Sequence, residues 1–380
     1  MATKAPKKVL FVLPNILGGG AERVVLTFVR HLNRSLFEPS LLLFKREGDY
    51  WGEVPQDLKI YHLLESSERF RYKLPKVLKK AVEVASQNDI IVGALEMVPT
   101  YVAYAGGRLA GKPVVGWVHI DLPMALSSLS LRQKRLHRLL CSYIYPRLSR
   151  IICVSQGVAS SLKGLFPRVR SKRVSIIYNP LPVELVEPLR DFSHTPVFGE
   201  NKDVTIVAVG RLVYQKGFDI LLRAYALLRK NGFEKSLLLV LGKGEEEANL
   251  KNLAEKLGIS ESVKFLGFQP EPWRFLREAD VFVSSSRLEG FSMVIAEAMF
   301  CGVPVVATDC PSGPREVLLD GKCGLLVPPE DPVALAEGIR KILCDRGLRE
   351  KLVQAASVRV RDFLPEKIVP QLEKVLWEVG

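Results

Sequence analysis

Short apolar runs alternate along this chain with stretches whose apolar residues recur three or four positions apart. The runs are nearly unbroken, the pattern of parallel strands buried on both faces. In the first half they fall at residues 8–14, 40–44, 89–93, 113–119, 150–155 and 174–178. Helical spacing fills 21–33 and 75–87 and resumes near Gly157. Residues 179–203 interrupt the series with Pro180, Pro182, Pro188, Pro196 and Gly199, and read as a linker. A second series follows, with strands at 204–210, 236–242, 263–267, 281–284, 304–308 and 324–327. A last helix is expected over 365–378. Two alternating series imply an α/β protein with two doubly wound, Rossmann-like parallel-sheet domains. The expected bounds are 1–185 and 203–362, with 363–380 returning to pack on the first domain. A pair of this kind places a site in a cleft between the carboxyl edges of its sheets.

Composition narrows the class. The 380 residues exceed one ordinary core, and a hydrophobic content of 48% suits a globular protein. No apolar run reaches the roughly 18–20 residues of a membrane-spanning helix. Lys4, Lys7 and Lys8 ahead of residues 9–15 mimic a secretory signal, but the apolar stretch is short, contains Pro14 and runs into Gly18–Gly20. It reads as a first strand and its loop. Cys141, Cys153, Cys301, Cys310, Cys323 and Cys344 form no C-x-x-C pair, and read as small core residues in a reducing compartment. The absence of Asp-x-Asp gives a carboxylate-held divalent metal no sequence support.

Charge is uneven. Residues 1–190 carry 29 Lys+Arg against 14 Asp+Glu, a net of +15, whereas 191–380 are close to neutral. Between Leu122 and Val183 eleven basic residues stand with no acidic one. The segment 122–140 interleaves Met124, Leu126, Leu129, Leu131, Leu136, Leu139 and Leu140 with Arg132, Lys134, Arg135 and Arg138. That mixture fits one amphipathic helix lying on an anionic membrane leaflet. A solvated basic face is the plainer alternative. No nucleic-acid motif accompanies the charge, so nucleic acid is not expected as a partner.

The candidate chemistry lies at strand ends. After the strand at 281–284 comes Arg287-Leu-Glu289-Gly290-Phe291-Ser292, then a helix expected to start near Phe291 or Ser292 and to contain Glu297. A helix N-terminus there suits a phosphate, and the two carboxylates suit sugar hydroxyls. The alternative is a turn with two solvated glutamates. Gly210-Arg211 and Lys216-Gly217 leave the first strand of the second series, placing two cations where a diphosphate would bind. The Gly19-Gly20 loop leaves the first strand of the chain, and adjacent glycines permit close backbone approach to a ligand. His119 ends a strand beside Asp121, and Gly242-Lys-Gly244 forms a turn after another.

Together these residues resemble the retaining glycosyltransferases of family four, which have the GT-B fold. The resemblance runs almost end to end: Gly19-Gly20-Ala-Glu22, His119, Val154-Ser155, Tyr178-Asn179-Pro180, Gly210-Arg211 with Lys216-Gly217, Gly242-x-Gly244, Glu289-Gly-Phe with Glu297, and residues 302–308. Residues 307–317 look like the subgroup that builds lipid-linked oligosaccharides and bacterial surface polysaccharides. One departure is Glu245, where a proline commonly follows the second glycine. The resemblance implies transfer of a hexose or N-acetylhexosamine from a nucleoside diphosphate sugar, UDP-sugar favoured, to a lipid-linked sugar or glycan, with retention and without metal or cofactor. By analogy Arg211 and Lys216, with Gly210 and the N–H groups near Gly290, Phe291 and Ser292, bind the diphosphate. Glu297 holds the ribose, Glu289 contacts the donor sugar, and Gly242 borders the base. His119 sits near the transferred sugar, and Gly19 and Gly20 near phosphate and acceptor. The expected location is the cytoplasmic face of a membrane, held peripherally. A nucleotide-sugar 2-epimerase, a soluble transferase on a small molecule and an inactive scaffold are the alternatives.

Overall fold

In the computed structural model the described residues are 5–182 and 204–380, apart from 18, 49, 66, 69–72 and 128. Most of the linker expected at 179–203 therefore lies outside the described residues, as do Lys4 and Gly18. The chain divides into two compact units, one of residues 1–183 with 364–380, the other of residues 184–363.

The first unit is a seven-stranded sheet, all its pairings parallel, in the order β3-β2-β1-β4-β5-β6-β7. Its strands are β1 (Lys7–Leu13), β2 (Phe37–Leu43), β3 (Lys59–His62), β4 (Ile90–Gly93), β5 (Val114–Val118), β6 (Arg150–Cys153) and β7 (Val174–Ile176). β1, β4 and β5 are buried almost throughout, as their unbroken apolar runs require. β3 was not anticipated: it is an edge strand of mixed polarity, half exposed.

The second unit is a six-stranded parallel sheet ordered β10-β9-β8-β11-β12-β13. It comprises β8 (Thr205–Val209), β9 (Leu237–Leu241), β10 (Val263–Gly267), β11 (Val281–Ser284), β12 (Val305–Thr308) and β13 (Leu325–Val327). In each sheet the winding reverses at one place, between β1 and β4 and between β8 and β11. The loops after those strands diverge there and leave a crevice at the carboxyl edge.

Residues Pro365–Val379 form the last helix, which belongs to the first unit. Its Glu373 accepts from the Asn33 backbone N–H at 2.7 Å, Glu378 pairs with Arg150 at 2.7 Å, and the Trp377 ring lies edge-on to Phe37.

Two expectations need correction. The segment 122–140 is not one helix but two, Leu122–Ser127 and Leu131–Ile144. Ser130 starts the second with a capping box, its hydroxyl accepting the Gln133 N–H while the Gln133 side chain accepts the Ser130 N–H. The leucines of the second helix face outward, Leu131, Leu136 and Leu139 being exposed, whereas Leu122 and Leu126 of the first are buried. The thiols also divide. Cys141, Cys153, Cys310 and Cys323 are buried, but Cys301 is half-buried and Cys344 exposed.

Candidate functional site

The crevice of the second unit is assembled from three loops. The loop after β8 runs from Gly210 through a single 3-10 turn, Tyr214–Lys216, to Gly217 at φ +61° and then into the Phe218–Lys230 helix. It lies flat against the loop after β11. The Ser285 hydroxyl donates to the Lys216 carbonyl at 3.0 Å, and the Arg287 N–H donates to the Gln215 carbonyl at 2.8 Å. A Cβ on Gly217 would overlap the Ser285 carbonyl, so the close approach itself requires glycine. On the other side Gly242, at φ +137°, packs its backbone on the Gly210 carbonyl, which a side chain would strike.

Lys216 and Glu289 meet at this reversal point. The Lys216 ammonium donates to Glu289 Oε1 at 2.6 Å, and the Ser286 hydroxyl donates to the same oxygen at 2.7 Å. Oε2 of Glu289 takes neither bond. Glu289 is buried and Lys216 half-buried, so the ion pair sits where charge is weakly screened. The Glu289 carbonyl accepts the Ser312 hydroxyl, and Thr308 hydrogen-bonds the Ser286 carbonyl, so the end of β12 braces the loop from behind.

The helix that follows is Met293–Phe300, beginning one or two residues later than expected. Ser292 caps it at φ +69°, a left-handed conformation that costs a non-glycine residue energy and turns the chain sharply. Gly290, Phe291 and Ser292 are all buried. Glu297 is buried one turn into the helix, on the face of Met293. Arg211 is exposed at the head of the β8 loop, and its guanidinium has no partner among the described residues.

Arg287, within the stretch singled out above but given no role there, anchors this assembly. It makes a two-pronged pair with Asp219 at 2.7 and 2.8 Å, hydrogen-bonds Glu330, donates to the Tyr214 carbonyl and stacks on the Tyr214 ring at 4.1 Å. Burial alone would raise the Asp219 carboxyl, but the Arg287 guanidinium outweighs it and holds that acid below its ordinary value.

The first unit places His119, Gly19 and Gly20 at the carboxyl edge of its own sheet. Gly20 opens the Gly20–His31 helix, and a Cβ there would meet nothing of the chain within 4 Å. His119 is 6% exposed and stacks on Trp117 at 5.1 Å, with neither ring nitrogen at hydrogen-bonding geometry to any described residue. Burial pushes its pKa down to about 3 against a smaller opposing effect of the Ala94 carbonyl, so the ring is neutral at physiological pH. The sequence reading missed Glu96. It follows β4, and its Oε2 accepts the His119 backbone N–H at 3.0 Å. The residue keeps some exposed surface, but its carboxyl is enclosed by protein. Burial raises its pKa to about 7, the His119 N–H opposes that, and nearby Glu22 adds to it.

Arg132, Lys134, Arg135 and Arg138 all lie on the Leu131–Ile144 helix. Among the described residues no helix is long and apolar enough to cross a membrane, and no group of three or more His, Cys, Asp or Glu is arranged to hold a metal ion.

Comparison with known proteins gives a consistent result. Residues 18–185 match the family model Glycosyltransferase Family 4, and residues 191–359 match Glycosyl transferases group 1. Over 94% of its length the chain is 29% identical to 96% of a Campylobacter jejuni enzyme, N-acetylgalactosamine-N,N'-diacetylbacillosaminyl-diphospho-undecaprenol 4-alpha-N-acetylgalactosaminyltransferase. Over 39% of its length it is 40% identical to 42% of the lipopolysaccharide core biosynthesis glycosyltransferase LpsE of Rhizobium meliloti. The fold matches that of Anabaena Alr3699/HepE, solved in complex with UDP and glucose, with a TM-score of 0.79 over 98% of this chain and 99% of that one at 22% identity.

Proposed function

Because this chain belongs to the glycosyltransferases of family four, a glycosyltransferase with two Rossmann-like units of the GT-B type, we propose that it moves a hexose or N-acetylhexosamine from a UDP-sugar to a lipid-linked sugar, with retention of anomeric configuration. The observation that carries this reading is the Lys216–Glu289 pair at the reversal point of the second sheet, beside the Met293–Phe300 helix N-terminus. A cation and a helix terminus together suit a diphosphate. Arg211, exposed and unpaired among the described residues, supplies the second positive charge. As bonds to the leaving diphosphate lengthen, negative charge grows on its bridging oxygen, and Arg211 and Lys216 stabilise that charge. Glu289 has Oε2 available for a sugar hydroxyl and is read as a sugar ligand, not a nucleophile. Glu297 takes the ribose, and Gly242 borders the base.

In the reaction the acceptor oxygen bonds to the anomeric carbon while the carbon–phosphate-oxygen bond breaks on the same face. The leaving phosphate takes the acceptor proton. Such a step needs no dedicated base, and the His119 ring is neutral at physiological pH. The lipid-linked acceptor is proposed from the Campylobacter relative and from the basic Leu131–Ile144 helix. Arg132, Lys134, Arg135 and Arg138, with exposed Leu131, Leu136 and Leu139, support peripheral attachment to an anionic leaflet. No metal or cofactor enters this scheme.

The test is incubation of purified protein with UDP-sugars and an undecaprenyl-diphosphate-linked sugar, with and without EDTA. Retained configuration in the product and an EDTA-insensitive rate are expected. Absence of both transfer and donor hydrolysis across UDP- and GDP-sugars refutes the donor reading. Epimerised sugar formed from donor alone replaces it with the epimerase alternative.

A further inference from the structure

At the opposite edge of the first sheet from His119 lies a cavity of about 530 Å³. It is built from the amino ends of strands: Val114 begins β5, Ser149 precedes β6 and Arg173 precedes β7. Four cations line it, Arg108, Lys112, Arg147 and Arg173, and no carboxylate does. Tyr104 and Tyr143 add two aromatic walls, their rings edge to face at 6.5 Å.

The cations are not equally committed. Arg173 donates to the Pro146 and Leu148 carbonyls, which fixes its guanidinium in the wall. Arg147 donates to the Tyr143 carbonyl at 2.7 Å and lies over the Tyr143 ring at 3.8 Å, leaving other N–H groups of its fork unused. Lys112 forms a long ion pair with Asp89 at 3.9 Å, which partly offsets its charge. Arg108 has no acceptor for its guanidinium among the described residues. Holding three guanidinium groups and a partly paired ammonium around one space is unfavourable unless an anion joins them. Two guanidinium forks with free donors suit the oxygens of a phosphate group.

We propose that this cavity is a binding site for a phosphate ester, separate from the donor crevice of the other unit. Its volume exceeds that of a lone phosphate and accommodates a small phosphorylated molecule or the headgroup of a phospholipid. Tyr143 also closes the exposed row Leu136, Leu139 and Tyr143 on the Leu131–Ile144 helix, so apolar surface runs up to the cavity.

The experiment has two arms, both with the full chain. In the first, inorganic phosphate and glycerol 3-phosphate are titrated against sodium chloride of equal ionic strength, with melting temperature as readout. In the second, the protein is sedimented with phosphatidylcholine vesicles with or without phosphatidate. Arg108→Ala is expected to weaken affinity about tenfold, and Arg108→Lys to restore most of it. Arg168→Ala removes one exposed charge outside the cavity and is expected to leave binding unchanged. Because Arg108 is exposed and bonded to nothing described, its loss does not threaten folding, and phosphate held by Arg211 is common to all these variants. Loss of affinity in both arms assigns a soluble phosphate ester, and loss on phosphatidate vesicles alone assigns a lipid headgroup. If Arg108→Ala equals wild type in both arms, or Arg168→Ala loses as much, the site is overturned.

Discussion

Glu96 and His119 are neighbours with opposite titration habits, and together they shape stability against pH. Folding holds Glu96 protonated up to about 7, from an ordinary 4.5, and holds His119 neutral down to about 3, from an ordinary 6.5. Between pH 4.5 and 6.5 the folded chain keeps one proton on Glu96 and the unfolded chain keeps one on histidine, so the pair contributes no slope. The His119 contribution is lost as pH falls from 6.5 to about 3 and the Glu96 contribution as pH rises from 4.5 to about 7, so the two changes cancel inside that window. Glu96→Gln should therefore convert the flat window into a rise of melting temperature with pH up to about 6.5. An unchanged flat window in the variant contradicts the assignment. In the other unit, Lys216→Ala leaves the buried Glu289 charge without its cation, and should cost about 1–3 kcal/mol in denaturant melts. It should also reduce kcat/KM with a UDP-sugar by about 100-fold, and an unchanged Michaelis constant and turnover rule out a donor role. Lys216 and Glu289 were legible because each closes a glycine-marked strand end. Glu96 was not, since one carboxylate in Ala-Leu-Glu-Met carries no pattern until β4 is known to border the reversal point.

At the scale of elements, buried parallel strands announce themselves because both faces must be apolar, so their sequence runs survive without alternation. The edge strand β3 escaped because only part of Lys59–His62 is buried. The break at Ser130 was obscured by leucines on both sides, although Ser130 and Gln133 already spell a cap. The clamp between the β8 and β11 loops has one visible sign in the sequence, Gly217, while Arg287 reads there only as part of a motif. Arg287→Ala removes the tie that joins Asp219, Glu330 and Tyr214, and should cost about 1–3 kcal/mol. Its diagnostic effect is faster hydrogen exchange over residues 211–217, measured by mass spectrometry. Protection there equal to wild type would mean that the serine and backbone bonds suffice. Gly242→Ala should destabilise the second unit by about 1–3 kcal/mol, because φ +137° and the Gly210 carbonyl both exclude a side chain.

At the scale of the whole molecule, the excess of positive charge is confined to the first half of the chain, and the Leu131–Ile144 helix presents part of it beside exposed leucines. Attachment to anionic vesicles should weaken steeply with added salt, and Arg132→Glu with Arg135→Glu should abolish most of it. Equal recovery of wild type on neutral and anionic vesicles at low salt contradicts the attachment. The last helix has a different kind of consequence. Because Pro365–Val379 belongs to the same unit as residues 1–183, the second unit is inserted in sequence within the first. During vectorial synthesis the ribosome releases the inner unit before the outer one can close. The Asn33 and Arg150 contacts wait for Glu373 and Glu378 until the final stretch has emerged. A nascent chain stalled before residue 365 would thus carry a finished inner unit while the outer one still lacked the helix that pairs with Asn33 and Arg150.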